Sequence, residues 1–190
     1  MRTVRASGVG VVLATVLWLS SCAIYPTSRT FYEPSAEDGK VTSRGPCGYM
    51  STHDTMQREI DGAVIRVFIG DDDEPSKRPE TLDVHITVSY RGGGASIDPS
   101  KVTISGEGES AELHGNLMLS PAAQLGLKYY EDPGYVLVDI QYPAPAGRYD
   151  VISVKFAAGA FRLLGQNQDV RPIRFRRVKK HDVFYGSMNC

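Results

Sequence analysis

The chain has 190 residues, with 21 Lys and Arg against 22 Asp and Glu and a formal charge of −1. A balance that close leaves no broad basic field for nucleic acid. With 19 glycines, 11 prolines and many Val, Ile and Tyr, the composition favours strands and turns over long helices.

The first five residues, Met1-Arg2-Thr3-Val4-Arg5, carry two cations and no acid, and residues 9 to 19 form an apolar run of about eleven residues. A short charged segment followed by a short apolar one is the pattern of an export signal. A helix spanning a hydrocarbon core of about 30 Å needs about twenty apolar residues. Residues 1 to 21 are therefore expected to be a signal peptide rather than a permanent membrane helix.

At the end of the apolar run stands Leu19-Ser20-Ser21-Cys22. This string resembles the lipobox of bacterial lipoproteins, an aliphatic residue and two small residues before a cysteine, and the resemblance covers only these four residues and their apolar approach. It implies diacylglycerol on the Cys22 thiol, cleavage between Ser21 and Cys22, and acylation of the new N-terminus. One acyl chain anchors marginally, at about 0.8 kcal/mol per buried methylene, whereas two or three hold firmly. In lipoproteins an Asp directly after the cysteine is the usual inner-membrane retention signal. Ala23 and Ile24 stand there instead, so the resemblance implies the outer membrane, facing the periplasm.

Loss of residues 1 to 21 removes Arg2 and Arg5, leaving 19 basic and 22 acidic residues in a chain of 169. That length suits one domain with a real core. Of the three cysteines, assigning Cys22 to lipid leaves Cys47 and Cys190. In an oxidising compartment two remaining thiols usually pair, and a loop of that size contributes at most about 5 kcal/mol in the chain-entropy model. Two buried thiols or a metal pair are the alternatives, and no CxxC spacing supports metal.

Residues 22 to 46 are rich in Pro, Ser, Thr, Gly and charge, without hydrophobic periodicity, and are expected to be a flexible tether. Tyr25, Phe31 and Tyr32 suggest local docking on the domain's own surface. Residues 47 to 190 are expected to form the single domain. Residues 82 to 90 alternate apolar Leu82, Val84, Ile86, Val88 and Tyr90 with polar Asp83, His85, Thr87 and Ser89, which predicts a strand with one buried and one wet face. Asp61-Gly62 predicts a hairpin turn joining residues 56 to 60 to residues 63 to 69, with a short helix over 54 to 60 as the competing expectation. Further strands are predicted at 101 to 105, 112 to 119, 135 to 142, 149 to 156, 173 to 178 and 183 to 185, separated by Gly- and Pro-rich breaks. About eight short strands without a helical period predict an all-β antiparallel sandwich of immunoglobulin-like arrangement.

Catalytic strings are absent from the sequence. There is no Gly-x-Ser-x-Gly elbow and no His-Glu-x-x-His, and the histidines at 53, 85, 114 and 181 stand singly. Gly92-Gly93-Gly94 lacks the rest of a phosphate loop and reads as a hairpin loop. The acids Asp71-Asp72-Asp73-Glu74 are contiguous, whereas a calcium loop interleaves its ligands with glycine; a solvated loop is expected. His53-Asp54 and His181-Asp182 are sequence neighbours, which strands turn to opposite faces.

The strongest local feature is the stretch from residue 171 to 180, with six cations in ten residues. Alternation sends Arg174 and Arg176 to one face and Ile173 and Phe175 to the other. Arg174, Arg176, Lys179 and Lys180 are thus candidates for a basic ribbon facing an anionic headgroup, a cell-wall carboxylate or an acidic envelope protein. The structural alternative is an edge strand blunted by charge and by Pro172. These features favour a non-catalytic, membrane-anchored binding or scaffolding module without cofactor or metal. An envelope enzyme with residues gathered from distant loops, or an inhibitor-like module against a hydrolase, are the alternatives.

Overall fold

The computed structural model describes residues 22–43, 48–49, 53–70, 81–109, 111–118, 134–145 and 147–187. Among them every regular element is a strand apart from two single 3-10 turns, at 36–38 and 99–101. The strands are β1 (Cys22–Pro34), β2 (Lys40–Thr42), β3 (Gly48–Tyr49), β4 (Thr55–Ile60), β5 (Ala63–Ile69), β6 (Leu82–Ser89), β7 (Ala95–Ile97), β8 (Val102–Gly106), β9 (Leu113–His114), β10 (Asn116–Met118), β11 (Tyr135–Tyr142), β12 (Val151–Phe156), β13 (Phe161–Leu163), β14 (Gln166–Gln168) and β15 (Ile173–Ser187). All pairings are antiparallel, and none of the three sheets closes into a barrel.

One sheet runs β1-β15-β12-β8-β9 with β3 beside β15, a second runs β10-β11-β6-β5-β4-β2, and β14-β13-β7 form a small third. Period-two burial drives the central strands: Val84, Ile86 and Val88 of β6 and Val67 of β5 are fully buried, and the residues between them lie toward solvent. These side chains join Ile104, Ile152, Val154, Ile173 and Phe175 of the first sheet in one apolar core. The Tyr142 hydroxyl of β11 reaches across to donate to the Val102 carbonyl of β8 at 2.9 Å. Its burial raises the phenol pKa.

The β4–β5 hairpin forms as the turn chemistry predicts. Asp61 and Gly62 both have positive φ, 49° and 80°, the combination that matches the twist of a two-residue hairpin. Residues 54 to 60 form no helix, because β4 is paired along its length with β5.

Four expectations need correction. The predicted strand over 112 to 119 is two strands, since the chain crosses at Gly115 from β9, paired with β8, to β10, paired with β11. A Cβ at Gly115 would lie 2.4 Å from Ile140 Cγ2, so the crossing needs glycine. Gly92-Gly93-Gly94 is not a hairpin loop, because β6 and β7 belong to different sheets.

The other two corrections concern one ladder. Residues 22 to 34 are not a coil but the thirteen-residue strand β1, paired without interruption to β15 from Cys22↔Ser187 to Pro34↔Phe175. Their polar composition lacks periodicity because the pairing partner, rather than a buried stripe, specifies the strand. β15 in turn fuses the two short strands predicted at 173 to 178 and 183 to 185. It is no edge strand at residues 173 to 176, where β1 flanks it on one side and β12 on the other, whereas from 178 to 183 β1 is its one strand partner among the described residues.

Candidate functional site

The basic residues lie on this β1–β15 ladder, so its register decides which of them share a face. Opposite residues place Thr27 by Asp182, Arg29 by Lys180, Phe31 by Val178 and Glu33 by Arg176 on one face. The other face carries Pro26 by Val183, Ser28 by His181, Thr30 by Lys179 and Tyr32 by Arg177. Ile173 and Phe175 are buried while Arg174 and Arg176 are exposed, as alternation requires. The four proposed cations nevertheless do not form one ribbon. Arg174, Arg176 and Lys180 share a face, and Lys179 lies on the opposite one.

The face of Arg174 is complemented by acid from the segment after β1. Arg174 Nη2 lies 2.7 Å from Glu37 Oε2, its Nε lies 3.3 Å from Asp38 Oδ2, and its backbone N–H donates to the same oxygen at 2.8 Å. The hydrogen bond to Glu37, then that to Asp38, raises the Arg174 pKa. Lys180 Nζ bonds Glu33 Oε1 at 2.6 Å. Arg58 secures the same turn, donating to the carbonyls of Asp38, Arg171 and Pro172. Burial lowers the Arg58 pKa, partly offset by Asp38. A cleft of about 300 Å³ opens beside these groups, lined by Glu33, Glu107, Arg174 and Arg176. Its mixed charge gives an anion no net field.

Further along the same face the ladder buries charge. Arg29, 2 % exposed, pairs with Asp54 at 3.1 Å and stacks its guanidinium 4.8 Å above the Phe31 ring. Asp54 also accepts from the Thr55 hydroxyl at 3.0 Å, and buried Asp182 accepts from the Val183 N–H at 2.7 Å. Asp54 precedes β4, so this pair ties the ladder to the second sheet.

On the wet face of the second sheet, His85 Nδ1 lies 2.7 Å from Asp139 Oδ1, and its ring stacks on Phe68 with centroids 4.4 Å apart. Asp83 and Gln141 pair beside it at 3.1 Å. His85 and Asp139 are direct cross-strand partners. The outward positions of two expected strands were the available signal, but nothing local fixed the register between them. The carboxylate orients the imidazole, and the stacked Phe68 restrains the ring. Among the described residues no group of three His, Cys, Asp or Glu side chains gathers to hold a metal ion.

Cys22 opens β1, directly opposite Ser187. Cys47, Cys190, the expected signal segment of residues 1 to 21 and the acids at 71 to 74 lie outside the described residues. No family model matches the chain, and no curated protein or solved structure is significantly similar to it.

Proposed function

We propose that the chain is the precursor of a bacterial lipoprotein, anchored by lipid on Cys22, whose β-domain is a non-catalytic binding or scaffolding module of the cell envelope. The observation that carries this reading is the string Leu19-Ser20-Ser21-Cys22 at the end of a short apolar run behind Arg2 and Arg5. Ala23 and Ile24 after the cysteine favour the outer membrane, facing the periplasm. We read the two large sheets as an immunoglobulin-like sandwich, supported by their common apolar core and by the Tyr142 bridge between them.

The remaining cysteines belong to the same reading as a Cys47–Cys190 disulfide. Gly48 pairs with Tyr185 on β15, and Ser187 lies two residues further along that strand. Cys47 directly precedes Gly48 in the sequence and Cys190 comes three residues after Ser187, which supports this pairing.

Metabolic labelling with radioactive fatty acid tests the anchor. Label is expected on the wild type and absent from Cys22→Ser; label retained by that variant refutes the assignment.

A further inference from the structure

The two faces of the β1–β15 ladder differ in what accompanies their cations. Beyond the core pair Tyr32 and Phe175, burial changes sides: Phe31, Arg29 and Asp182 are buried on one face, while Pro26, Ser28, Lys179, His181 and Val183 are exposed on the other. The open face carries Arg177, Lys179 and His181 in consecutive same-side positions, opposite Tyr32, Thr30 and Ser28, and the two strands place no acid there. At its inner end the Arg177 backbone N–H donates to the Asp150 carbonyl, and Lys179 and His181, both exposed, follow further out along the ladder.

This open face runs toward Cys22. At about 3.3 Å per residue, His181, opposite Ser28, stands about 20 Å along the ladder from Cys22, and Lys179 about 26 Å. Apolar Val183, 37 % exposed, lies between His181 and the anchored end. Among the described residues the face thus passes from apolar Pro26 and Val183 on the anchor side to Lys179 further out.

We infer that the β1–β15 ladder lies along the bilayer, with its Lys179 and His181 face turned to anionic phospholipid headgroups. The inference rests on lipid at Cys22. That lipid fixes one end of a paired ribbon at the membrane surface, so the cations need only select which face turns down, and tethering replaces most of the affinity a free protein would require. An anionic leaflet attracts each nearby cation by an amount that corresponds to about a fivefold bias. The opposite face is balanced instead: its exposed cations Arg174, Arg176 and Lys180 share it with the acids Glu33, Glu37 and Asp38, which Arg174 and Lys180 already hold. The partner is the headgroup surface itself, which supplies negative charge in a plane as long as the ribbon.

Lysine footprinting of the purified, full-length mature lipoprotein tests this. The protein is reconstituted in vesicles of phosphatidylglycerol or of phosphatidylcholine and treated with a water-soluble acylating reagent. Lys179 should react about fivefold more slowly, or slower still, in phosphatidylglycerol, with Lys180 and Lys155 unchanged, and 1 M salt should restore its rate. Equal Lys179 reactivity in the two lipids overturns the orientation, as does equal protection of Lys180. Protection of Lys179 in isolated cell envelopes but in neither vesicle points to a protein partner and also overturns it. The same digest reports the mass of the Cys22 peptide. An unacylated peptide refutes the anchor, and the orientation with it, whereas an acylated peptide with a reactive Lys179 refutes the orientation alone.

Discussion

The β4–β6 meander and the β1–β15 ladder are both antiparallel pairings, held by different means. In the meander a two-residue turn joins β4 to β5, and a row of fully buried Val and Ile side chains backs each of the two inner strands. In the ladder the paired residues are far apart in sequence, 147 positions between Glu33 and Lys180, and much of the contact is between charges. Closing a loop costs about (3/2)RT ln n, so the ladder depends on the rest of the domain having already brought its ends together. The ladder is therefore expected to open before the meander, as regions with fewer buried apolar contacts do.

Breaking the buried ion pair between the two regions should have the largest effect. Asp54→Ala leaves Arg29 buried without its carboxylate, a loss that costs about 3–5 kcal/mol. Urea unfolding should show that drop, together with an early release of the ladder seen by the fluorescence of a reporter placed on β1. A loss under 1 kcal/mol would mean that Arg29 is not desolvated as described.

The meander should answer to its turn instead. Gly62→Ala places a Cβ at a φ of 80° and is expected to cost about 1–2 kcal/mol, lowering the urea midpoint without separating the ladder from the body. Early loss of the ladder in that variant would contradict the independence of the two regions.

The smallest effect belongs to the seam between the sheets that carry them. Tyr142→Phe removes the hydroxyl bond to the Val102 carbonyl, about 1 kcal/mol. Because the folded state raises this phenol above its ordinary value of 10.0, the native state holds its proton more tightly than the unfolded chain. Stability from this group is thus complete below pH 10 and falls as pH rises beyond it. Alkaline melting curves should show a steeper loss above pH 10 for the wild type than for Tyr142→Phe, and parallel curves would refute the assignment.

The same contrast explains what could be read from the sequence. β6 was legible because alternation is local and the strand buries one face. The hairpin turn was legible because Asp61-Gly62 carries its own conformational preference. β1 was not, since Ser28, Arg29, Thr30 and Glu33 are specified by partners on β15 that no local pattern names. For the same reason the basic residues of β15 were legible as a cluster but not as two faces. Their split follows from alternation, yet the neutralising acids Glu33, Glu37 and Asp38 lie in a segment whose composition read as coil. The His85–Asp139 pair escaped likewise, because its two members come from strands whose register is set by the whole sheet.

Amide hydrogen exchange on the protein tests most directly whether the segment after Cys22 is a strand rather than a tether. In an antiparallel ladder alternate amides bond to the partner. Alternate amides of residues 27 to 33 should therefore be protected and should open together with their partners on β15, ahead of β6. Exchange of residues 23 to 33 at the rate of an unstructured peptide, while β6 stays protected, would contradict the ladder and the oriented basic face built on it.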